Sequence, residues 1–126
     1  MDLNQITVPV NDVAQSIDFY QGLGLELIVK ALPHYARFKC QNGTASFSLH
    51  LAEERGIGEK GIWVYFEIED LDKRVDELIN DGFEFDELPN DKPWLWREAR
   101  LKDPDGNLLI LYYAGVNRLD PPWKIT

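Results

Sequence analysis

Hydrophobic and polar positions alternate along residues 3–10, with Ile6, Val8 and Val10 on one side and Gln5, Thr7 and Pro9 on the other. That period of two is the pleat of a β-strand with one buried face. The period then lengthens, because Val13, Ile17 and Tyr20 recur at helical spacing behind Asn11 and Asp12, either of which can cap the free amides of a first turn. Gly22 and Gly24 are expected to end that helix. Three extended segments follow at residues 25–30, 35–40 and 44–51, the last two joined by a turn at Gln41-Asn42-Gly43. Residues 52–60, with Gly56 and Gly58 among charged neighbours, read as a connection. A second series then begins: a strand over 62–68, and a helix opened by Asp70 with Leu71, Val75, Leu78 and Ile79 as its apolar stripe and Gly82 as its stop. Strands at 83–85, 95–101 and 108–113 complete it, the last two joined by an Asp103-Pro104-Asp105-Gly106 turn.

The two series share one register at an offset of 58 residues. Val8-x-Val10-x-Asp12-Val13 returns as Phe66-x-Ile68-x-Asp70-Leu71, Ile17 returns as Val75, and Tyr20 as Leu78. Gly24-Leu25-Glu26-Leu27 returns as Gly82-Phe83-Glu84-Phe85. Two copies of a βαβββ unit explain this most economically. The expectation is a single α+β domain with mainly antiparallel sheet and helices on one face. It comprises modules at residues 1–54 and 61–115 and a C-terminal tail at 116–126 that contains Pro121, Pro122 and Trp123.

Composition narrows the partners. The chain has 126 residues, 44% hydrophobic and 28% charged, with a net charge of -9. No block of lysines or arginines could track phosphates, so neither nucleic acid nor an anionic membrane is an expected partner. No apolar run reaches the ~20 residues needed to span a bilayer, and no leader is evident, so a cytoplasmic location is the default. Cys40 is the only cysteine. It excludes an internal disulfide and a cysteine cluster, and is expected to be a small buried hydrophobe.

With these motifs in view, the chain resembles the vicinal oxygen chelate superfamily, the group containing glyoxalases, extradiol dioxygenases, fosfomycin resistance proteins and bleomycin resistance proteins. The resemblance runs from Asn4 to about Gly115. It rests on the first strand leading into Asn11-Asp12-Val13 and Phe19-Tyr20, and on Pro93-Trp94-Leu95-Trp96-Arg97-Glu98 followed by Asp103-Pro104-Asp105-Gly106-Asn107. The second stretch is similar to the glyoxalase/bleomycin resistance branch. The resemblance implies that each module curls into half of a barrel-like cleft, that ligand binds inside it, and that the protein forms a homodimer.

Metal-dependent members of the superfamily hold a divalent ion with side chains from the first and last strands of each module. The corresponding positions here are Gln5, Ser48, Trp63 and Ile110. A hard or borderline ion favours imidazole and carboxylate. That set therefore points to a protein without a metal or other cofactor, with Gln5 and His50 as the weak remaining ligand candidates. His34, the other histidine, sits beside Pro33 in an expected loop.

The same strand faces carry Trp63, Tyr65 and Glu67 on one strand, Ile110 and Tyr112 on another, Thr7 beside Gln5, and Trp94 or Trp96 near the mouth. Flat π-faces near carboxylates stack planar heterocycles and attract cations, although in a small sheet protein such rings also serve as packing. Glu67 between rings is a candidate base, against the reading of a hydrogen-bonded carboxylate at a strand end. Arg97 either holds an acidic ligand group or pairs on the surface, and Trp123 is expected on an extended arm docked on the body or a partner subunit. The functional expectation is a metal-free binder of aromatic or cationic drug-like molecules rather than an enzyme. Its rivals are a metal-dependent lyase, isomerase or dioxygenase built around Gln5 and His50, and a protein whose dimer or regulatory contact is its function.

Overall fold

The computed structural model describes residues 3–53 and 60–125, so most of the expected connection at 52–60 lies outside the described residues. The order is β1 Gln5–Val10, α1 Val13–Leu23, β2 Glu26–Ala31, β3 Tyr35–Lys39, β4 Ser46–Leu51, β5 Trp63–Glu67, α2 Leu71–Asn80, β6 Glu87–Asp91, β7 Arg97–Lys102 and β8 Leu108–Tyr113. A short 3-10 turn, Gly115–Arg118, follows. The α+β expectation holds: two βαβββ series form two open four-stranded mixed sheets, ordered β1-β4-β3-β2 and β5-β8-β7-β6. In each, the first strand runs parallel to the last and the remaining pairs are antiparallel. Contacts group the chain into two compact units, and they place Asp103–Asn107 with the first.

In the first unit Asp12 caps α1, its carboxylate accepting from the Gln15 amide at 3.0 Å. Gly22 lies inside the helix. The stop is Gly24, with φ of 118°, whose amide bonds the Gln21 carbonyl while Leu25 bonds that of Tyr20. Gly82, with φ of 98°, ends α2 in the same way, its amide on Ile79 and that of Phe83 on Leu78. Both helices thus close by the paired bonds that only a left-handed residue permits, and glycine adopts that conformation without strain. This also corrects the strand expected at 83–85, because the Phe83 amide is committed to the helix end, and pairing with β7 is made by Glu87–Asp91 instead. Asp70 accepts through its backbone carbonyl from Arg74 but makes no side-chain cap.

The core of the first unit is Val8, Val10, Val13, Ile17, Ala36, Phe38, Phe47 and Leu49 around Tyr20, whose ring lies 4.8 Å from Phe47 and 5.9 Å from Phe38. The Tyr20 hydroxyl donates to Asp103 at 2.7 Å. Burial, with the Asp103 charge, pushes that phenol far above its ordinary range. Asp103 also accepts from the Asp105 and Asn107 amides at 2.9 and 2.8 Å and from the Asn107 side chain at 2.8 Å. Asp105 in turn accepts from the Asn11 amide at 2.8 Å. The Asp-Pro-Asp-Gly segment is therefore more than a surface turn, since its two aspartates are buried and bonded to α1 and to the chain entering it.

In the second unit Val64, Leu71, Val75, Leu78, Ala99, Leu101, Leu109 and Leu111 are buried. Each valine and leucine of this set contributes about 1.5–3 kcal/mol by leaving water. On the opposite face of the central strand β8, Leu108, Ile110 and Tyr112 pack with Ala114 and Trp96. The tail turns through Gly115–Arg118 rather than running wholly extended, and Trp123 remains 57% exposed instead of docking on the described residues of this chain. Cys40 is half-buried and free, its thiol pushed up by burial against the opposing charge of Lys39.

Candidate functional site

Strand register decides which side chains share a face. In the first sheet Gln5, Thr7 and Pro9 lie opposite Ser46, Ser48 and His50, which in turn lie opposite Lys39, Arg37 and Tyr35. This polar face is opposite the one that buries Val8, Phe38 and Leu49. The Gln5 amide oxygen accepts from the Ser46 hydroxyl at 2.7 Å. Ser48 is buried and shares a 2.8 Å hydrogen bond with the Tyr35 hydroxyl, which also accepts from Arg37 Nε at 2.9 Å. Burial opposes ionisation of Tyr35, yet the bonds to Ser48 and Arg37 and the guanidinium charge outweigh it and set the phenol below its ordinary value. Thr7 is exposed. His50 is exposed too, with Nδ1 3.3 Å from the Leu51 carbonyl, and His34 sits in the turn between β2 and β3.

In the second sheet Trp63, Tyr65 and Glu67 lie opposite Leu108, Ile110 and Tyr112, and these opposite Lys102, Arg100 and Glu98. Tyr65, Trp96 and Tyr112 form one ring cluster: Trp96 stacks on Tyr112 at 4.9 Å, and Tyr65 meets both edge-on at 5.8 and 5.3 Å. Such pairs add about 0.5–1.5 kcal/mol each beyond area burial. Trp96 does not sit free at a mouth, since its indole donates to the Asn117 carbonyl at 3.3 Å. Trp63, Tyr65 and Trp94 keep accessible ring surface, at 43%, 38% and 40% exposure. Burial, reinforced by the Glu98 charge, raises the Tyr65 phenol, and burial with the Glu67 charge raises that of Tyr112.

The carboxylates of this face are already engaged. Glu67 accepts from the Ala114 and Gly115 amides at 2.9 and 3.1 Å, with Arg118 3.8 Å from its other oxygen. These bonds give Oε2 a strand-end structural role, while Oε1 keeps only the longer ion-pair contact to Arg118. Glu98 is wholly buried, accepting from Trp94 Nε1 at 2.7 Å and Arg100 at 3.2 Å. Arg100 also lies 3.6 Å from Glu87 and 5.5 Å from the centre of the Trp63 ring. Arg97 pairs on the surface with Asp72 and Asp91 at 2.8 and 3.0 Å, which lowers the Asp72 carboxyl.

Leu95, between the two tryptophans, has a φ of 69°, an uncommon strained conformation for a bulky residue. It lies in the turn where the Leu95 amide bonds the Lys92 carbonyl and Lys92 bonds Trp96. Sequence reasoning passed over Tyr35, Arg37 and Arg100 as site residues and left the direction of Glu98 open. The repeat contained the signal, because the register aligns Tyr35 with Glu98 and Arg37 with Arg100.

Of the positions that the resemblance singles out for metal ligands, Gln5 and Ser48 lie in the first sheet and Trp63 and Ile110 in the second. An amide oxygen already bonded to Ser46, a buried hydroxyl, an indole and a hydrocarbon do not fit a divalent ion. Among the described residues no three histidine, cysteine or acidic side chains cluster.

Comparison with known proteins adds the family. The family model for the Glyoxalase/Bleomycin resistance protein/Dioxygenase superfamily matches residues 2–111. The "Uncharacterized protein YraH" of Bacillus subtilis (strain 168) is 33% identical, over 89% of this chain and 98% of its own. A glyoxalase/bleomycin resistance protein/dioxygenase from Nocardioides superposes with a TM-score of 0.79 at 20% identity, over 100% and 90% of the two chains. Lactoylglutathione lyase from Agrobacterium tumefaciens gives 0.74 at 16%, over 91% and 95%. A bleomycin-binding protein in complex with bleomycin gives 0.72 at 18%, over 90% and 98%. These three structures share the fold.

Proposed function

Because this chain belongs to the glyoxalase/bleomycin resistance protein/dioxygenase superfamily, we propose that it binds a small planar aromatic molecule, without a metal, on the open face of its second sheet. The observation that carries this reading is the ring cluster of Tyr65, Trp96 and Tyr112, with Trp63 and Trp94 nearby and accessible on the same unit. Trp96 and Tyr112 pack one another and present a rigid base, whereas Tyr65 retains surface for a ligand. Preformed rings lose little freedom on binding, so stacking converts efficiently into affinity. The fold neighbour named for binding bleomycin supports a small-molecule role. A cationic ligand would meet π-faces first, since Glu98 and one oxygen of Glu67 are already hydrogen-bonded.

The enzyme reading has a fold neighbour in the lyase, but the donor set at Gln5, Ser48, Trp63 and Ile110 gives it no support. A homodimer is part of the proposal, supported by exposed Val116, Leu119 and Trp123 in the tail. Light scattering on the eluted protein checks it, and a monomer at micromolar concentration removes it.

Tryptophan fluorescence titrated with bleomycin, quinoline and N-methylquinolinium tests the binding reading. The expected result is saturable quenching, weakened about tenfold in Tyr65→Ala by the loss of one stacking partner. No quenching and no thermal shift across the panel overturns it. Elemental analysis of protein purified without chelator tests the metal-free part, which fails if a stoichiometric metal is found and is lost in both Gln5→Ala and His50→Ala.

A further inference from the structure

The two sheets place an arginine at the same register, Arg37 opposite Ser48 and Arg100 opposite Ile110, and surround it differently. Arg100 has Glu98 at 3.2 Å and Glu87 at 3.6 Å. At the matching positions around Arg37 the cross-strand partner is Val29 in place of Glu87, and the residue two before it is Tyr35 in place of Glu98. Arg74, Arg97, Arg100 and Arg118 each have a carboxylate within salt-bridge distance. Arg37 has none among the described residues. In a chain with a net charge of -9, a half-buried arginine on a sheet face with no carboxylate partner among the described residues stands out as a place for an anion.

The surroundings are built for one. Arg37 Nε is held by the Tyr35 hydroxyl at 2.9 Å and its guanidinium carbon lies 5.4 Å from the centre of the Tyr35 ring, so the side chain is fixed before any ligand arrives. Among the described residues its two terminal nitrogens remain as donors. The Tyr35 oxygen accepts from Arg37, shares a bond with Ser48 in which either hydroxyl can donate, and is also bonded by the Gln5 side chain, so the ring that braces Arg37 is itself held from three sides. Lys39 lies two residues on along the same strand, its ammonium 3.5 Å from the Cys40 carbonyl. The nearest acid by register is Glu26, which is exposed and opposite Lys39.

We infer that Arg37 and Tyr35, braced by Ser48, form a binding site for a carboxylate on the open face of the first sheet. The planar fork of guanidinium donors matches a planar carboxylate through two parallel bonds, and Tyr35 fixes the position of that fork. This site lies on the other unit from the aromatic face and stands independently of that reading.

The test uses the full chain labelled with 15N. The Nε–H signal of Arg37 is assigned by its disappearance in Arg37→Gln, and the protein is titrated separately with benzoate, benzamide and inorganic phosphate. Benzoate should move the Arg37 signal saturably and benzamide should leave it in place. Benzoate affinity should weaken about tenfold or more in Arg37→Gln, the range for lost hydrogen bonds to a charged donor, and about threefold or more in Tyr35→Phe, which removes the hydrogen bond that holds the arginine. Retention of the remaining amide spectrum shows that each variant is folded, and Tyr35→Phe keeps the test open if Arg37→Gln is not. An Arg37 signal indifferent to benzoate, or equally moved by benzamide, overturns the inference. Phosphate binding as tightly as benzoate overturns the assignment to a planar carboxylate.

Discussion

The first sheet opens a polar face whose arginine has no carboxylate partner among the described residues, and the second opens an aromatic face whose arginine sits between two carboxylates. Both descend from one repeated pattern of strand and helix. The frame tolerates this divergence because a strand's buried face and its open face alternate independently. Val8 and Phe66 serve the repeat while Gln5 and Trp63, on the opposite faces of those strands, are free to differ. The same divergence separates the last turns of the two modules. Gln41-Asn42-Gly43 is exposed, whereas Asp103 and Asp105 are buried and bonded to α1 and its approach.

That contrast can be broken experimentally. The largest effect is expected at the buried turn: Asp103→Ala removes the acceptor for Tyr20, Asn107 and two amides and should cost about 3–5 kcal/mol. Asn42→Ala in the exposed turn should stay within about 0.5 kcal/mol. Urea denaturation of the two variants measures the difference, and equal losses would remove the distinction drawn between the turns.

The next effect compares the aligned pair Glu98 and Tyr35. Glu98→Gln leaves the Arg100 charge short of a buried partner and should destabilise by about 2–3 kcal/mol, below the full cost of an entirely buried pair because Arg100 is partly solvated. Tyr35→Phe removes one neutral hydrogen-bonded hydroxyl and should cost about 1 kcal/mol. Denaturation midpoints with unchanged slopes give both values. A Tyr35→Phe loss as large as that of Glu98→Gln would show that the polar face is as strongly coupled as the aromatic one.

The smallest effect is in alkaline titration. Tyr35 lies below its ordinary value of 10.0, while Tyr65 and Tyr112 lie above it. Tyr65 and Tyr112 therefore contribute stability that is fully present below pH about 10 and is lost as pH rises through their folded values. Tyr35 has the opposite sign, its contribution appearing only above the unfolded value and lost as pH falls through the folded one. Absorbance at alkaline pH should lose its earliest tyrosine step in Tyr35→Phe and a late step in Tyr65→Phe. Reversal of that order would contradict the environments described for the two faces.

Much of the frame was legible in the residues. Period two and period 3.6 located every strand and helix except the one expected at 83–85, and the glycines at 24 and 82 marked both helix stops. The misplaced strand has a specific cause: apolar Phe83 and Phe85 look extended by pattern, but the Phe83 amide is taken by the helix end. The ring cluster was legible as Tyr65 and Tyr112 on adjoining strands, and Trp96 joined it only through pairing of β7 with β8. Glu67 and Arg97 show the limit. Each admitted a ligand role or a structural partner, and the partners, the Ala114 and Gly115 amides and Asp72 and Asp91, are far along the chain or on another element.

The chain by itself determined a duplicated α+β frame, because side-chain alternation, helical spacing and the left-handed glycine stop are properties of neighbouring residues. Tertiary structure alone decided which polar groups are satisfied and which remain free. Tyr20 meets Asp103 across 83 residues, and Arg100 meets Glu87 from the neighbouring strand where Arg37 meets no carboxylate among the described residues. Such pairings depend on sheet register and burial, which bring distant residues within the short range where hydrogen bonds and desolvation act.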